Sequence, residues 1–139
     1  MPVPPRPGDL TTIDRDECLA LLAGAAFVRV GFVTSQGPTV LPVNHLLYGD
    51  ALYFRTAPGS KLGTAAAGER VAIEADNGHE PSRTGWSVLV HGRASIVNDP
   101  QLIEALHAQP FEPWALPADQ AFWVHVELER VSGRRIIRD

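Results

Sequence analysis

The sequence predicts a mainly β protein, an antiparallel barrel of six strands with short helices between them. Two observations lead to this fold class. Six segments are rich in β-branched and aromatic residues or alternate apolar with polar positions, as strands do. Most connections are of hairpin length and hold Gly, Pro, Asn or Asp, which argues against a parallel, doubly wound sheet. The predicted strands span residues 27–33, 39–47, 51–56, 70–76, 85–97 and 122–131.

The predicted organisation is one domain behind a short N-terminal arm. The chain has 139 residues, of which 45% are hydrophobic, and this suits a single domain with its own core. Residues 1–10 contain four prolines and a glycine, so we expect an extended arm that is able to cross onto a partner subunit. The domain itself is predicted to span residues 11–139.

Capping residues and apolar spacing predict three short helices. The first, residues 11–24, opens on a pattern like a capping box that is formed by Thr11 and Asp14. The second covers residues 60–67 and is closed by a glycine. The third begins at Asp99, because a capping residue followed by proline is a strong helix start.

Two residues interrupt the predicted strands. Gly92 lies inside the long fifth strand and indicates a bulge or a bend. Pro42 removes one N–H group from the second strand. Its position predicts either a simple edge strand or a stretch whose backbone groups are free for a ligand, and both interpretations stay open.

The segment YFRTAPGSKL, residues 53–62, has the chemistry of a phosphate-binding cradle. Charged donors from Arg55 and Lys61, the hydroxyl groups of Thr56 and Ser60, and the N–H groups of a helix start lie close together here. Because strand side chains alternate, the Arg55 guanidinium is expected to leave the core. The alternative is a solvated turn with a helix cap and two surface cations.

Composition argues against several classes of function. The net charge is −4 and no run of Lys or Arg is present, so nucleic acid is not an expected partner. No apolar run is long enough to cross a bilayer, and the start lacks the pattern of a signal peptide, so we expect a cytoplasmic protein without a membrane partner. The five histidines show no metal-binding spacing. The single cysteine, Cys18, is expected in the core.

The ordered set of segments resembles the flavin-binding split-barrel family that includes pyridoxamine 5′-phosphate oxidase, and it is most similar to the small actinobacterial-type members. The resemblance covers nearly the whole chain and implies a split β-barrel. It implies FMN as the cofactor, usually held across the interface of a homodimer. The segments that carry it are ECLALLA, FVRVGFV, TVLPVNH, LYFRTAPGSKL, VAIEAD, WSVLVHGRASIV and VELERVSGRRI.

The resemblance also implies cofactor-binding residues at matching positions. The FMN phosphate would be held by the cradle residues Arg55, Thr56, Ser60 and Lys61. The isoalloxazine ring would lie against Leu41, Pro42, Val43 and Asn44. Further contacts are expected from Trp86 and Ser87 and, across the dimer, from Trp123 or Arg134.

The function expected from these residues is that of an oxidoreductase acting on a small molecule. His45 and Tyr48 are weak candidates for a proton donor. Oxidation of pyridoxamine phosphate itself is disfavoured. That activity implies a second basic cluster for the phosphate of the substrate, and Arg134 and Arg135 are the only remaining concentration of positive charge. The alternatives are a flavin-binding or flavin-sensing module without turnover, a reductase that uses the deazaflavin F420, and a heme-binding split-barrel protein.

Two further groups of residues have open interpretations. The late aromatic residues plug one end of the barrel or form a cofactor wall, and plugging is favoured. Glu74 and Asp76 share a strand face, where a solvated pair is favoured over an acid–base dyad. The aromatic residues are Phe111, Trp114, Phe122 and Trp123.

Overall fold

The computed structural model describes residues 3–66, 68–115 and 121–138. Within these ranges the chain forms nine strands and three helices. The strands are β1 (Leu10–Ile13), β2 (Val28–Thr34), β3 (Gly37–Val43), β4 (Leu46–Tyr48), β5 (Ala51–Thr56), β6 (Arg70–His79), β7 (Thr84–Ile96), β8 (Phe122–Glu127) and β9 (Arg130–Ile136). The helices are α1 (Arg15–Gly24), α2 (Lys61–Ala65) and α3 (Pro100–His107).

The long strand β7 connects the two parts of an antiparallel sheet. Its first part lies between β6 and β9, and its last part pairs with β8. One part of the sheet follows the order β3, β2, β6, β7, β9, β1, and the other follows the order β7, β8, β5, β4. Every strand pairing is antiparallel among the described residues. The predicted mainly β, antiparallel fold class is confirmed.

Strand β7 changes its neighbour at Gly92. Its pairing with β9 ends at His91, and its pairing with β8 begins at Ala94. A Cβ atom at Gly92 would overlap the carbonyl oxygen of Glu127, so only glycine lets the two backbones approach this closely. The position marks the crossing between the two parts of the sheet, whereas the pairing of β7 with β6 runs through Gly92 without an extra residue, so no bulge is present in that pairing and the predicted bend stays a prediction.

The sequence predicted six strands, and this count is wrong. The predicted strand 39–47 is divided into β3 and β4. The amide of Asn44 donates to the carbonyl of Ala26 at 3.0 Å, and a ring nitrogen of His45 lies 2.6 Å from the carbonyl oxygen of Leu22. These contacts accompany a change of partner, because β3 pairs with β2 whereas β4 pairs with β5.

The predicted final strand, residues 122–131, is also divided in two. The backbone N–H of Glu129 donates to the carbonyl of Glu127 at 3.0 Å, which forms a tight turn after β8. Strand β9 then pairs with β1 and β7 instead of continuing beside β5. The alternation of apolar and polar residues shifts by one position at this turn, where the polar residues Glu129 and Arg130 follow each other, and the predicted single strand did not take this shift into account.

The third strand that the sequence did not predict is β1, which lies where the start of the first helix was expected. Thr11 is in β1 and pairs with Arg135 of β9. The helix cap is Asp14 alone, whose carboxylate accepts the N–H of Glu17 at 2.8 Å. The ladder with β9, which comes from the far end of the chain, overrides the local capping pattern. Residues 3–8 are exposed. The N-terminal arm as a separate unit stays a prediction.

The other two predicted helices are confirmed. The hydroxyl oxygen of Ser60 accepts the N–H of Gly63 at 2.9 Å and caps α2. The carboxylate of Asp99 accepts the N–H of Gln101 at 3.0 Å and caps α3. Among the described residues, none of the helices combines the length and the apolar character that a membrane span needs.

Strand β5 separates two apolar clusters. Leu52 and Phe54 are fully buried in the main core, together with Cys18 of α1. Tyr53 belongs to a second cluster, which it forms with Trp123 of β8 and residues of α3. The predicted alternation along β5 is confirmed. It places Arg55, the next residue on the same face as Tyr53, on the side of the second cluster.

Candidate functional site

A cavity of about 820 Å³, called the main cavity below, lies where β2, β3 and the end of β5 meet the segment after α3. Its size is within the range of small-molecule and cofactor sites. Apolar and aromatic side chains form most of its wall, with two arginines and two uncharged polar residues among them. The described residues that line it are Phe27, Arg29, Val40, Pro42, Val43, Asn44, Arg55, Thr56, Ala57, Phe111, Pro113, Trp114, Ala115 and Ala121.

An edge-to-face pair of aromatic rings forms one wall of the main cavity. The ring centroids of Phe27 and Trp114 are 5.3 Å apart. Trp114 is 71% exposed, so packing in the core does not fix its position. Its backbone N–H donates to the side-chain oxygen of Asn44 at 2.7 Å. Because the Asn44 amide also donates to Ala26, this one side chain ties the Trp114 segment to the chain between α1 and β2.

Arg55 brings a positive charge to the main cavity. One terminal nitrogen donates to the carbonyl of Ala121 at 3.3 Å, and the guanidinium carbon lies 5.6 Å from the ring centroid of Trp123. Its Nε atom is buried and has no hydrogen-bond partner among the described residues. A buried donor without an acceptor costs roughly 1–3 kcal/mol, so the arrangement suits a bound acceptor.

Arg29 is a second cation at the main cavity, and the sequence interpretation did not identify it. Its guanidinium lies 3.1 Å from Glu74 and 2.9 Å from Asp76, and its carbon lies 5.5 Å from the ring centroid of Phe27. The available signal was the position of Phe27 and Arg29 on one strand face. Glu74 and Asp76 form a half-exposed pair, which agrees with the solvated pair that the sequence favoured. Both carboxylates are bound to Arg29.

Glu74 is the titratable group of this cluster whose environment changes its proton affinity. Partial burial is the largest cause that raises its pKa, followed by the hydrogen bond and the repulsion from Asp76. The guanidinium of Arg29 acts in the opposite direction. Glu74 therefore holds a proton more readily than an isolated glutamate.

The predicted phosphate cradle is divided in the structure. Arg55 and Thr56 line the main cavity. The Ser60 hydroxyl donates to the carbonyl of Ala57 at 2.8 Å, lies 3.1 Å from the hydroxyl of Thr56 and caps α2. Lys61 is exposed, and its ammonium donates to the side-chain oxygen of Gln36 at 2.8 Å. The cap that formed part of the alternative interpretation is therefore present, and phosphate binding by Ser60 and Lys61 stays a prediction.

Most of the predicted ring-binding stretch lies at the main cavity. Pro42, Val43 and Asn44 line it, whereas Leu41 is not among its lining residues. Strand β3 is at the end of the strand order, so Pro42 lies on an edge strand and also faces the cavity. Both open interpretations of Pro42 therefore agree with its position.

The remaining predicted cofactor contacts lie elsewhere in the subunit. Trp86 lines a separate depression of about 290 Å³ beside Arg135. Ser87 is paired with Arg134 across β7 and β9. Trp123 is 3% exposed and lines a second cavity, described below. Their roles toward a cofactor stay predictions.

The two candidate proton donors are not among the residues that line the main cavity. Burial lowers the pKa of His45, and its contact with the Leu22 carbonyl opposes this effect. Its other ring nitrogen is buried without a partner among the described residues. Tyr48 packs edge-on against Tyr53 at 6.5 Å. Neither side chain is placed to transfer a proton within the cavity in this structure.

The late aromatic residues lie in different parts of the structure. Phe111 and Trp123 pack together in the second cluster, and Phe122 packs against the main core. Trp114 lines the main cavity, and Phe111 lines it as well. A role of these rings as a cofactor wall stays a prediction. Across residues 3–66, 68–115 and 121–138, no three His, Cys, Asp or Glu side chains come together as metal ligands would.

The sequence of this chain is similar to a known family of proteins. The family model described as pyridoxamine 5′-phosphate oxidase matches residues 14–135. The uncharacterized protein Rv0080 of Mycobacterium tuberculosis is 38% identical over 136 residues, which cover 94% of this chain and 88% of that protein.

Solved structures agree with the family model. The FAD binding protein from Mycobacterium smegmatis is 30% identical, with a TM-score of 0.78, and the match covers 92% of this chain and 99% of that one. A Corynebacterium glutamicum protein named after pyridoxamine 5′-phosphate oxidase is 27% identical, with a TM-score of 0.80, and the match covers 94% of this chain and 100% of that one. The resemblance noted in the sequence and the split-barrel fold class are confirmed. The chain belongs to the pyridoxamine 5′-phosphate oxidase family.

Proposed function

We propose that this protein binds a flavin nucleotide in the main cavity. The observation that carries the proposal is the combination of the positively charged Arg55 guanidinium at the cavity wall with apolar and aromatic residues that include Phe27 and Trp114. A flavin nucleotide has a planar ring that prefers apolar and aromatic surfaces and a phosphate that needs charged donors. The cavity offers both kinds of surface, so its residues fit the cofactor.

The proposed residue roles are supported by the lining of the main cavity and, for Lys61, by the family resemblance. Arg55 and Thr56 hold the phosphate end, and Lys61 approaches it from the start of α2. Pro42, Val43 and Asn44 border the ring. Arg29 is held by its two carboxylate partners and contributes a positive charge at the cavity wall. Phe27 and Trp114 shield one side of the cavity from water.

Two flavin nucleotides, FMN and FAD, are compatible with the main cavity. FMN is the cofactor expected from the sequence, whereas the relative from Mycobacterium smegmatis is named as an FAD binding protein. Both contain the same ring and a phosphate next to the ribityl chain, and the cavity residues address those shared parts. FMN is our first choice, with FAD as the alternative.

We propose a homodimer as the assembly. Trp86 and Arg134 lie in or beside a separate depression and do not line the main cavity of the same subunit. A second copy is the simplest source of a further wall for the main cavity. Trp86, Ser87 and Arg134 are the residues that we assign to that wall.

The activity proposed is oxidation or reduction of a small molecule. When bound, the flavin supplies the redox chemistry. The protein's own residues bind the phosphate, orient the ring and exclude water from one side. A flavin-binding module without turnover is the second candidate, because His45 and Tyr48 are not among the residues that line the main cavity.

The test compares the flavin affinity of two arginine variants. Arg55→Met keeps an aliphatic stem that can pack against the Trp123 ring but removes the donors. It should weaken FMN or FAD binding to flavin-free protein by about 1.5 to 3 kcal/mol, the range for hydrogen bonds to charged groups. Arg93→Met is the matched control, because Arg93 is exposed, donates to the carbonyl of Gly68 and does not line the cavity. Equal flavin affinity in both variants would contradict the proposed site.

A further inference from the structure

A second cavity, of about 530 Å³, lies between the end of α3 and the strands β5 and β8. It shares Arg55 and two residues of the segment after α3 with the main cavity, but Trp123 lines only the second of the two. The described residues that line it are Arg55, Leu106, His107, Gln109, Phe111, Glu112, Pro113 and Trp123.

Trp123 provides the first sign of a ligand in this second cavity. The side chain is 3% exposed, and its indole N–H is buried without a hydrogen-bond acceptor among the described residues. The ring is held by Phe111 at 5.2 Å and by His107 at 6.0 Å between centroids. A buried indole N–H normally has an acceptor, and this packing prevents the ring from turning its N–H toward water.

Arg55 provides the second sign. It is paired directly with Trp123 across β5 and β8, with its guanidinium over the indole ring. Its Nε is also buried without an acceptor among the described residues, because its hydrogen bond to Ala121 uses a terminal nitrogen. Both unpartnered atoms are donors that cannot accept, so a group that satisfies them must be an acceptor. The positive charge of Arg55 favours an acceptor that is an anion.

The other polar residues of the second cavity are compatible with an anion. His107 lies in the last turn of α3 and adds further donor capacity. Gln109 uses its amide to donate to the carbonyl of Ala105 at 3.3 Å. Glu112 carries a negative charge, but it is exposed, so water and salt screen its repulsion.

We propose that the second cavity binds an oxyanion, a carboxylate or a phosphate monoester, between the indole N–H of Trp123 and the Nε–H of Arg55. The site is separate from the cradle proposed for the flavin phosphate. Because Arg55 lines both cavities, an anion in the second cavity also fixes the guanidinium that faces the main one. Because both ligands are anions that share one positive charge, occupancy of the second cavity lowers the affinity of the main cavity for a phosphate-bearing ligand.

The test uses the indole N–H signals in ¹H–¹⁵N NMR spectra of the purified protein. The chain has three tryptophans, and Trp86→Phe, Trp114→Phe and Trp123→Phe assign one signal each. Inorganic phosphate and acetate are titrated separately at constant ionic strength, with chloride as the reference. We expect a saturable shift of the Trp123 signal, while the signals of Trp86 and Trp114 stay within a small fraction of that change.

The two titrations also identify the anion class. A saturable shift with phosphate alone, with acetate alone or with both supports the site and names the oxyanion that it accepts. In Trp123→Phe, the Arg55 Nε–H signal should lose most of its response, although the aromatic packing is retained. The absence of a saturable Trp123 shift with either anion would overturn the proposal.

A flavin titration separates this proposal from the flavin proposal. If FMN shifts the Trp123 signal while phosphate and acetate do not, the second cavity is part of the flavin site and the separate oxyanion site is contradicted. If the anions shift it and no flavin binds, the oxyanion site stands and the proposed flavin function fails.

Discussion

Removal of the Asn44 side chain should loosen the aromatic wall of the main cavity. In Asn44→Ala, two hydrogen bonds are lost, one to the Ala26 carbonyl at 3.0 Å and one from the Trp114 N–H at 2.7 Å. A typical hydrogen bond contributes about 0.5–1.5 kcal/mol to stability, which gives a total of roughly 1–3 kcal/mol. Because Asn44 is half-buried and water can replace part of these contacts, we expect a loss of about 1–2 kcal/mol.

Urea unfolding measures this loss directly. Asn98→Ala is the matched control, since Asn98 is exposed and makes no side-chain hydrogen bond to the described residues. The Asn44 variant should unfold at a lower urea concentration with an unchanged slope, as expected for a change in stability alone. A stability of Asn44→Ala equal to that of Asn98→Ala would refute the assigned role of Asn44.

Three further predictions concern a strand crossing, a titrating carboxyl group and the cofactor cradle. Gly92→Ala should destabilise the protein by about 3 kcal/mol or more, or prevent folding, because the new Cβ meets the backbone oxygen of Glu127, whereas Gly24→Ala, with open space around its Cβ, should differ little from the wild type in thermal unfolding. Because the pKa of Glu74 is raised in the folded state, stability should fall as the pH rises through the window above the ordinary value of 4.5, so the stability of Glu74→Gln relative to the wild type should increase with pH in urea unfolding, and a flat difference would contradict this. Lys61→Ala should weaken flavin binding by about 1.5 kcal/mol in a fluorescence titration, and an unchanged affinity would remove Lys61 from the cradle.

Local patterns in the sequence predicted the elements whose causes are local. The caps at Ser60 and Asp99 were identified because the capping residue and the helix that it starts are neighbours in the chain. The direction of Arg55 followed from the alternation of side chains along β5, with Leu52 and Phe54 in the core. These features depend on at most a few consecutive residues.

Contacts between distant parts of the chain explain what the sequence did not reveal. Strand β1 forms because it pairs with β9, and no sequence pattern near Thr11 predicts that pairing. Arg29 is placed at the main cavity by Glu74 and Asp76 from another strand. The hydrogen bond between Asn44 and Trp114 joins residues that are 70 positions apart. Pairings of this kind depend on the assembled sheet, so periodicity and spacing cannot predict them.

The most direct measurement of the central proposal is the absorption spectrum of the freshly purified protein, with mass analysis of any small molecule released on denaturation. The proposal predicts a flavin spectrum and the release of FMN or FAD. A released deazaflavin F420 would replace the cofactor assignment, and a Soret band would favour heme instead of flavin. A colourless protein that binds neither FMN nor FAD when they are added would contradict the proposed function and leave the fold and the family unchanged.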